Sequence, residues 1–503
     1  MTTEIKETLL SYLKEHKIEY STGVKKYYTD SSFLACGLPL AAVFVKSNDE
    51  VIKVLEFAIK NRLKIVPRAM GSSTAGASLP TEDCILLITE RLNAVDKFGK
   101  RTSVVPLKIF DKSGKEVDEK ALDPNGEYYA RVGAGVSTID LDKALKRLNY
   151  HIAVVPSSGW SCIAGNYSTN AGGNGTPTYG TFKDIVNRVE MVVVKDNKPQ
   201  TVTVTDKEKL VRMGGTQGIL GIITSLDVRI VPIPKEESLL NVVISCEGEN
   251  MAEIGSKGGR FMEKAAEKCE MINAEFLFID AFMFGADDPL MANEELREFI
   301  TLKNSKYKML ILYQGLKEKL APLKAVADAE SKEGINYKEV SGGLFKILLE
   351  VRKSATGRAK GRVAIPGFED TFLTEPKNLG IVLKEITEIA AQADIPGRPI
   401  GHQYAGGLVI HYRPLAQLTR EDYVRAFELT QKLDKRIVQD KSFKVDKRFE
   451  HGLGLELYAL SSETRRNELL ALKKEFDPQG FFNNHLLDAE PKIAFAGKDF
   501  NFS

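Results

Sequence analysis

The chain has 503 residues, of which 43% are hydrophobic and 27% are charged, a composition typical of an ordinary globular protein. This length exceeds what one hydrophobic core can hold, so two or three domains are expected. The 70 basic and 68 acidic residues nearly cancel, and the net charge of +2 gives no electric field that would steer a nucleic acid to the surface.

Neither a membrane span nor a disulfide framework is indicated. No run of about 18 apolar residues occurs, so no transmembrane segment is predicted, and the first residues lack the apolar core of a signal peptide. The five cysteines are odd in number, widely spaced and without a CxxC pair, which argues against an Fe–S cluster or a structural zinc site. We therefore expect a reduced, cytoplasmic protein, and a peripheral contact with a membrane stays open.

The first elements in the chain predict a βαβ unit. Apolar residues at helical spacing predict a helix over residues 3–16, and a strand follows at 41–46. An acidic segment predicts the start of a helix over 51–61, and 64–67 form a second strand. The glycine-containing loop 68–76 therefore follows the carboxyl end of a strand, where open α/β sheets bind ligands.

The middle of the first half is dominated by glycine. Residues 96–125 are polar and turn-rich and predict a hairpin, and a strand at 128–132 with a helix at 138–148 predicts a second βα unit. The stretch 154–194 opens and closes with β-branched runs that predict strands. Between these runs, about 30 residues rich in glycine and small polar side chains predict an irregular, functional segment that lets backbone approach a ligand closely.

The second half predicts an α+β arrangement. A third glycine cluster at 214–224 leads into a strand, and the prolines at 232 and 234 indicate a domain boundary. Long helices then alternate with strands up to residue 330, which suggests an antiparallel sheet. A second helix–strand–helix series over 376–439 and a polar terminal helix complete the predicted elements.

Four segments resemble, in order and spacing, the FAD-binding domain of the vanillyl-alcohol oxidase and p-cresol methylhydroxylase (PCMH) flavoproteins: 67–73, 163–173, 179–184 and 215–221. The resemblance implies that FAD is bound by Arg68, Ala69, Met70, Gly71, Ser72, Ser73, Gly76, Ser157, Ile163, Ala164, Gly165, Asn170, Gly172, Gly173, Tyr179, Gly180, Gly218, Gly221, Ile222 and Asn483. The first loop of the family usually has the sequence PRGGGTS, and Ala69 and Met70 replace two of its glycines. Because this loop contains neither His nor Cys, we expect the FAD to be non-covalent.

The same resemblance implies a fold class and domain bounds. The expected fold is α+β, with a two-subdomain PCMH-type FAD-binding domain and a cap domain whose antiparallel sheet is covered by helices. The expected bounds are 1–234 for the FAD-binding domain and 235–455 for the substrate or cap domain. Residues 456–503 are expected to form a C-terminal segment that returns to the FAD domain.

Three segments of the second half resemble the D-2-hydroxyacid dehydrogenases, which include D-lactate dehydrogenase and the glycolate oxidase flavin subunit. Residues 401–411 resemble the motif GHxGDGNxH, 450–454 resemble EHGxG, and 476–483 resemble the tail FDPxGxxNPGK. The resemblance implies that a divalent metal (Zn, Fe or Mn) is bound by His402, His411 and Glu450, with His451 as the base.

The spacing of the two histidines departs from the family. They are nine residues apart instead of seven, and the intervening Asp is missing. A hairpin turned by the glycines at 406 and 407 would bring His402 and His411 together. The alternative is that His411 is a strand residue that binds no metal.

Arg352 is the candidate receptor for a substrate carboxylate. The segment ILLEVRKSAT resembles the LWxxRE segment of the family, and an arginine fork can hold a carboxylate through two hydrogen bonds. The resemblance implies further contacts from Thr356 and from Lys360, which precedes a strand and Pro366 as in the family. The alternative for Arg352 and Lys360 is that they are solvated charges.

The resemblance implies an FAD-dependent 2-hydroxyacid dehydrogenase that oxidises a D-lactate-like acid to the 2-oxoacid by hydride transfer to flavin N5. No nicotinamide-binding motif occurs, so the electrons are expected to pass to an electron-transfer flavoprotein, a quinone or an Fe–S subunit. Two alternatives stay open. One is a metal-independent oxidase or dehydrogenase of an alcohol, phenol or sugar, and the other is a non-catalytic flavin electron-relay subunit. A homodimer also stays open.

Overall fold

A computed structural model of the chain describes residues 2–32, 34–94, 105, 107–156, 158–281, 283–284, 288–303, 305–354, 363–364, 370–404, 407–416, 419–438, 446–447, 454–459, 461–489 and 494–495. The α-helices are α1 Thr2–Glu15, α2 Asn48–Asn61, α3 Thr138–Lys146, α4 Ile163–Thr169, α5 Thr176–Tyr179, α6 Lys207–Met213, α7 Met251–Lys268, α8 Glu294–Ile300, α9 Lys317–Leu320, α10 Pro322–Glu330, α11 Gly342–Ser354, α12 Leu379–Ala393, α13 Arg420–Leu433 and α14 Glu463–Phe476. The strands are β1 Glu19–Ser21, β2 Leu34–Ala35, β3 Ala41–Phe44, β4 Ile65–Arg68, β5 Ile85–Ile88, β6 Lys108–Asp111, β7 Glu116–Val117, β8 Tyr128–Gly133, β9 Tyr150–Ile152, β10 Val186–Lys195, β11 Lys198–Val204, β12 Ile222–Pro232, β13 Leu239–Gly248, β14 Asn273–Asp280, β15 Tyr307–Leu316, β16 Asn336–Glu339, β17 Val363–Ala364, β18 Asp370–Thr374, β19 Gly397–Tyr404, β20 Gly407–Ala416, β21 Asp446–Lys447 and β22 Ala494–Phe495.

The chain folds into two units. The first unit comprises Met1–Gly172, Thr181–Ile233 and Glu450–Asn501, and the second comprises Gly173–Gly180, Pro234–Phe449 and Phe502–Ser503. The central glycine stretch is therefore divided, because eight of its residues (173–180) belong to the second unit. Within the described part of the chain, no helix is both long and apolar enough to cross a membrane.

A small, largely parallel sheet begins the first unit. Its strand order is β1-β3-β5-β4, and β3 and β4 both run parallel to β5, which lies between them. The side chains of β3 and β5 are buried on both faces, as expected for the apolar strands of a parallel sheet. Helix α2 connects β3 to β4 and is capped by Ser47, whose side chain accepts a hydrogen bond from the Glu50 N–H. The predicted βαβ unit is present, with one additional strand inserted between its two strands.

An antiparallel sheet of seven strands completes the first unit. The order is β11-β10-β12-β8-β6-β7, and β9 pairs with β12 beside β8. The polar segment predicted as a hairpin contains the β6–β7 pair. The C-terminal segment also contacts this unit, because the Ile65 N–H donates to the Phe481 carbonyl and the Asn483 N–H donates to the Ile65 carbonyl.

The second unit contains a nine-stranded sheet, and its described pairings are all antiparallel. Its order is β16-β13-β15-β14-β19-β20-β18-β21, and β17 pairs with β20. Helices α8 and α11 pack on one face of the sheet, over a core that includes Leu277, Leu310, Phe345 and Ile400. Helix α7 contacts β13 and β15 and packs against α12.

The predicted irregular segment contains regular structure, which corrects one expectation. Residues 163–169 form α4 and 176–179 form α5, and Asn170 ends α4 in the left-handed conformation with a φ of 55°. The strand expected at residue 154 is also wrong, because the preceding strand is β9 at Tyr150–Ile152. Small residues do not by themselves prevent a short helix, and both of these helices are held by contacts with residues distant in sequence.

Candidate functional site

The first predicted cofactor loop follows β4 in the first unit. Arg68 ends β4 and is buried, with Nη1 3.4 Å from Ser78 Oγ and Nη2 3.4 Å from the Lys26 carbonyl oxygen. Gly71 has a φ of +71°, and a Cβ there would lie 2.0 Å from Arg68 Nη2. Ser73 Oγ accepts hydrogen bonds from the Ala75 and Ala77 N–H groups. The guanidinium thus lies against the loop and requires glycine at position 71, and Ala69, Met70, Ser72 and Gly76 belong to the same loop.

Three of the four predicted cofactor segments come together within the first unit, and Asn483 from the tail joins them. A Cβ on Gly165, in α4, would lie 3.7 Å from the Ala69 side chain, and one on Gly215 would lie 3.3 Å from the Asn170 Cβ. Gly218 has a φ of +75°, and a Cβ there would meet Pro67 Cγ at 3.0 Å and Asn483 Nδ2 at 3.3 Å. Because glycine lets these backbones approach closely, the loop after β4, helix α4, the 215–221 segment and the tail are neighbours.

The remaining first-unit residues lie on the same elements. Ile163 and Ala164 open α4, where their N–H groups donate to the carbonyls of Val136 and Ala134. Gly221 has a φ of +158°, and a Cβ there would lie 2.6 Å from the Val192 carbonyl oxygen. The next residue, Ile222, begins β12 and is buried, and Gly172 ends the first segment of the unit.

Three buried polar atoms from three of these segments have no hydrogen-bond partner among the described residues. They are Thr74 Oγ1, Gln217 Nε2 and Asn483 Oδ1. The opposite ends of the two amides are satisfied, because Asn483 Nδ2 donates to the Gln217 carbonyl at 2.7 Å and Gln217 Oε1 accepts from the Gly454 N–H at 2.7 Å. A buried donor or acceptor without a partner is costly, so these atoms call for a polar ligand. Glycine backbone with free donors and acceptors fits FAD.

Residues 173–180, the part of the glycine stretch that belongs to the second unit, lie against β14. The Gly175 N–H donates to the Ile272 carbonyl and lies 3.1 Å from Asn273 Oδ1, while Thr178 Oγ1 donates to the Met271 carbonyl at 2.6 Å. Helix α5 also contacts β19. The predicted cofactor residues Gly173, Tyr179 and Gly180 are therefore held at the amino end of β14.

A buried polar cluster occupies the sheet two residues further along β14. Glu275 is directly opposite His402 of β19, and His402 is diagonal to His411 of β20, because His402 pairs with Val409 and Ile400 with His411. The two imidazole ring centroids lie 5.5 Å apart. Glu275, His402 and His411 are exposed by 4%, 2% and 3%. The pairing of β19 with β20 thus brings the two histidines together on one face of the sheet, despite their unusual spacing in the sequence.

Arg352 joins this cluster from the last turn of α11. Phe345, Leu348 and Arg352 recur at helical spacing on the buried face of α11, so Arg352 points to the same face of the sheet as Glu275. Arg352 Nε lies 2.7 Å from Glu275 Oε2, and Nη2 lies 3.3 Å from His402 Nδ1. Since a guanidinium only donates, His402 Nδ1 is the acceptor and the ring proton is on Nε2. Arg352 is therefore a buried charge, and its interpretation as a solvated charge is wrong.

The described residues do not by themselves complete a metal site. No group of three or more His, Cys, Asp or Glu side chains suited to a metal occurs among them. In addition, Arg352 occupies Nδ1 of His402, and the proton on Nε2 would have to leave before that nitrogen bound a metal. The described residues thus supply two of the three predicted ligands, His402 and His411, and Glu450, the third, lies outside the described residues.

Five predicted site residues lie outside the described residues: Ser157, Thr356, Lys360, Glu450 and His451. Conversely, the sequence reasoning missed Thr74, Gln217 and Glu275. The signal for Glu275 was a charged residue inside the otherwise apolar strand sequence AEFLFI, since burial of a lone carboxylate requires a partner. Gln217 lies between Thr216 and Gly218 and has a φ of +53°, a conformation uncommon for a side chain of this type.

Sequence comparison connects the chain to flavoproteins. Residues 39–202 match the family described as FAD binding domain. The chain is 24% identical over 507 residues to the glycolate oxidase subunit GlcD of Bacillus subtilis, which covers 96% of each protein. It is 24% identical over 242 residues to the D-lactate dehydrogenase of Archaeoglobus fulgidus, which covers 46% of this chain and 49% of that protein. The match to this D-lactate dehydrogenase thus spans about half of that protein's length.

Solved structures agree on the fold. The BBE-like 1 protein of Physcomitrella patens, in a variant form, matches with a TM-score of 0.65 at 13% identity over 96% of this chain and 99% of that chain. An alkyldihydroxyacetonephosphate synthase matches with a TM-score of 0.60 at 16% identity, over 89% of this chain and 76% of that chain. At these identities the likeness concerns the fold alone, and it confirms the predicted PCMH-type α+β class.

Proposed function

Because this chain carries a PCMH-type FAD-binding domain and is an FAD-dependent oxidoreductase, we propose that it oxidises a 2-hydroxyacid, such as D-lactate, to the corresponding 2-oxoacid. The observation that carries the proposal is the buried group of Arg352, His402 and His411, close to the β14 end that holds residues 173–180. A guanidinium can bind the carboxylate of the acid, and imidazole nitrogens can bind its hydroxyl group.

Arg352 has the central part in this proposal. Its planar donors would orient the acid by the carboxylate, which fixes the position of the Cα–H and the hydroxyl group. His402, whose Nδ1 lies 3.3 Å from Arg352 Nη2, would hold the guanidinium in place. By the family resemblance, His451 would take the hydroxyl proton, while Thr356 and Lys360 would add contacts to the substrate.

FAD would be held by the loop after β4, by α4 and by the 215–221 segment, together with Asn483, Gly173, Tyr179 and Gly180. When bound, FAD supplies the acceptor of two electrons from the substrate. The chain's contribution is backbone that approaches a flat ring closely, and the polar atoms of Thr74, Gln217 and Asn483 that have no partner within the described protein. We propose that this FAD is non-covalent.

A divalent metal is a further part of the proposal, supported by the resemblance and by the shared face of His402 and His411. Its ligands would be these two histidines and Glu450, and Zn, Fe or Mn would suit them. Metal analysis of the purified protein, before and after dialysis against a chelator, tests this part separately. Full flavin reduction by hydroxyacid in metal-free protein would contradict it.

The electron acceptor is proposed by chemical class. Since no nicotinamide-binding motif occurs, an electron-transfer flavoprotein, a quinone or an Fe–S subunit would reoxidise the flavin. We propose a cytoplasmic location, with a peripheral membrane contact if the acceptor is a quinone. A homodimer remains a proposal to be tested by the mass of the protein in solution.

The proposal is tested by anaerobic mixing of the FAD-loaded protein with D-lactate, glycolate and 2-hydroxyglutarate, in parallel with uncharged alcohols. Bleaching of the flavin absorption band by at least one hydroxyacid is expected. Bleaching by uncharged alcohols alone would instead support a metal-independent alcohol dehydrogenase. That second function is favoured by one observation, the ion pair between Arg352 and Glu275, which already neutralises the guanidinium.

A further inference from the structure

We propose that Glu275 is a specificity-determining residue that acts through Arg352: it is the internal counterion of the guanidinium, and it limits how tightly the site binds an anionic substrate. The inference rests on the proposed function, in which Arg352 receives the substrate carboxylate. It assigns a role to a residue that none of the recognised motifs contains.

Among the described residues, Glu275 is a buried acid that pairs with the guanidinium of Arg352. It lies between Ala274 and Phe276 in β14, and its side chain shares the face of Leu277 and Ile279, which is covered by α11. The residue is 4% exposed. Burial of an ionised carboxylate is costly unless it is paired, so the ion pair with Arg352 offsets the cost of burying the Glu275 carboxylate.

The ion pair of Arg352 and Glu275 nevertheless leaves hydrogen-bonding atoms of both side chains without a partner among the described residues. Although Arg352 Nε and Glu275 Oε2 are 2.7 Å apart, neither atom has a hydrogen bond of acceptable geometry within the described part of the chain. In the same sheet, Arg398 and Asp280 form a two-pronged pair with distances of 2.6 and 3.0 Å. The Arg398–Asp280 pair is thus joined by two hydrogen bonds, unlike the Arg352–Glu275 pair. Among the described residues, Arg352 therefore keeps donors that can bind a second acceptor.

A substrate carboxylate would have to share Arg352 with Glu275. Two carboxylates near one guanidinium repel each other, and in a dry site this repulsion is much larger than in water. Glu275 therefore weakens the binding of anions, and its replacement by the neutral isostere is expected to strengthen it. This prediction is opposite in sign to that for a structural residue, whose loss would weaken binding or leave it unchanged.

The test is calorimetric titration of FAD-loaded protein with oxamate, a one-carboxylate analogue of lactate that has no oxidisable hydroxyl group. Glu275→Gln is expected to bind oxamate at least about tenfold more tightly than the natural chain. Arg352→Met and the double variant Glu275→Gln/Arg352→Met are expected to lose binding. Asp280→Asn, which neutralises the carboxylate of the matched pair in the same sheet, is expected to leave the oxamate affinity unchanged.

Two further measurements separate this effect from damage to the fold. Glu275→Gln leaves a buried guanidinium without its counterion and is expected to lower the melting temperature, but oxamate should then raise it by more than in the natural chain. Glu275→Asp keeps the charge and is expected to keep an affinity close to that of the natural chain. An unchanged or weaker oxamate affinity in folded Glu275→Gln, or an equal gain in Glu275→Asp, would overturn the inference.

The outcomes also separate this inference from the proposed function, because oxamate binding requires no turnover. If the oxamate affinities change as expected and no hydroxyacid reduces the flavin, the proposed oxidation of hydroxyacids is wrong and the role of Glu275 as counterion of Arg352 is supported. If hydroxyacids reduce the flavin and Glu275→Gln binds oxamate as the natural chain does, the role of Glu275 is wrong.

Discussion

In the first unit, the predicted cofactor residues are contributed mainly by glycine-containing loops, whereas in the second unit the candidate substrate residues are single side chains on strands and one helix. The first region works through backbone that comes close because side chains are absent, as at Gly71 and Gly218. The second works through Glu275, Arg352 and His402, where Arg352 pairs with residues at least 50 positions away in the sequence. A site built from backbone is therefore visible in the sequence as contiguous motifs. A site built from side chains is visible only as single residues far apart in the sequence.

The two regions also differ in how charge is treated. The atoms of Gln217 and Asn483 that have no partner among the described residues belong to neutral amide groups, whose burial costs little compared with that of an ion. Arg352 and Glu275 are opposite charges, both almost fully buried, and each depends on the other. Substitutions in the second unit should therefore act by changing the charge balance, and substitutions in the first unit by crowding the closely packed backbone. The following experiments test this difference.

The largest expected effect is on Arg352. Arg352→Met removes the candidate carboxylate receptor and leaves Glu275 unpaired, so kcat/KM with the hydroxyacid should fall on the order of 10²–10³-fold while bound FAD is retained. Steady-state kinetics and the flavin spectrum measure the two quantities. The control is Lys353→Met, since Lys353 is partly exposed and pairs with Glu350 on the same helix. Equal losses in both variants would contradict a specific role for Arg352.

A pH effect is expected in the first unit at His485. Burial lowers the pKa of His485 from 6.5 to about 4, and its buried Nε2 has no hydrogen-bond partner among the described residues. The unfolded chain therefore binds the proton first, and stability present above pH 6.5 is lost as the pH falls toward 4. Between pH 7 and pH 5 this loss is about 2 kcal/mol.

Release of FAD on urea titration at the two pH values measures the effect of His485, because most of the proposed FAD contacts lie in the first unit. The variant His485→Gln should lose much less stability on acidification than the natural chain. The same acid sensitivity in both proteins would assign it to other groups.

Crowding at Gly218 is expected to have a smaller effect. Gly218→Ala adds a methyl group 3.0 Å from Pro67 Cγ at a φ of +75°, so affinity for FAD should fall about tenfold. Titration of the apoprotein with FAD, followed by flavin fluorescence, measures the dissociation constant. Gly114→Ala is the matched control, because Gly114 has a φ of +84° and no atom within 4 Å of the added Cβ. A similar loss in the control would show that backbone strain, and not crowding of the cofactor region, is responsible.

The smallest expected effect concerns Gln217. Gln217→Glu keeps the oxygen that accepts from the Gly454 N–H and removes the Nε2 donor, so FAD should bind about fivefold more weakly, as for one lost hydrogen bond. The same fluorescence titration applies. Gln200→Glu on the exposed face of β11 is the control for the added charge. Unchanged affinity in Gln217→Glu would mean that Nε2 does not contact the cofactor.

Much of this protein was determined by local sequence. The glycine clusters, their order and the residues around them resemble a flavoprotein family closely enough to predict the FAD-binding domain and the fold class. Glycine suits such a site because it lets backbone approach a dinucleotide closely. The predicted alternation of long helices with strands in the second half is likewise present, and α7 and α12 are among these helices. Local motifs did not predict α4 and α5 inside the glycine stretch, since both are held by distant contacts.

Only the tertiary structure decided which side chains meet. Strand register puts Glu275 opposite His402, the β19–β20 hairpin brings His411 to the same face, and the packing of α11 carries Arg352 onto both. None of these relations is encoded by neighbouring residues. Each depends on pairing between segments far apart in the chain, and the energy that selects the pairing is spread over the whole sheet and its core. The sequence alone therefore determined the type of cofactor site, and the fold determined the charge balance of the polar cluster in the second unit.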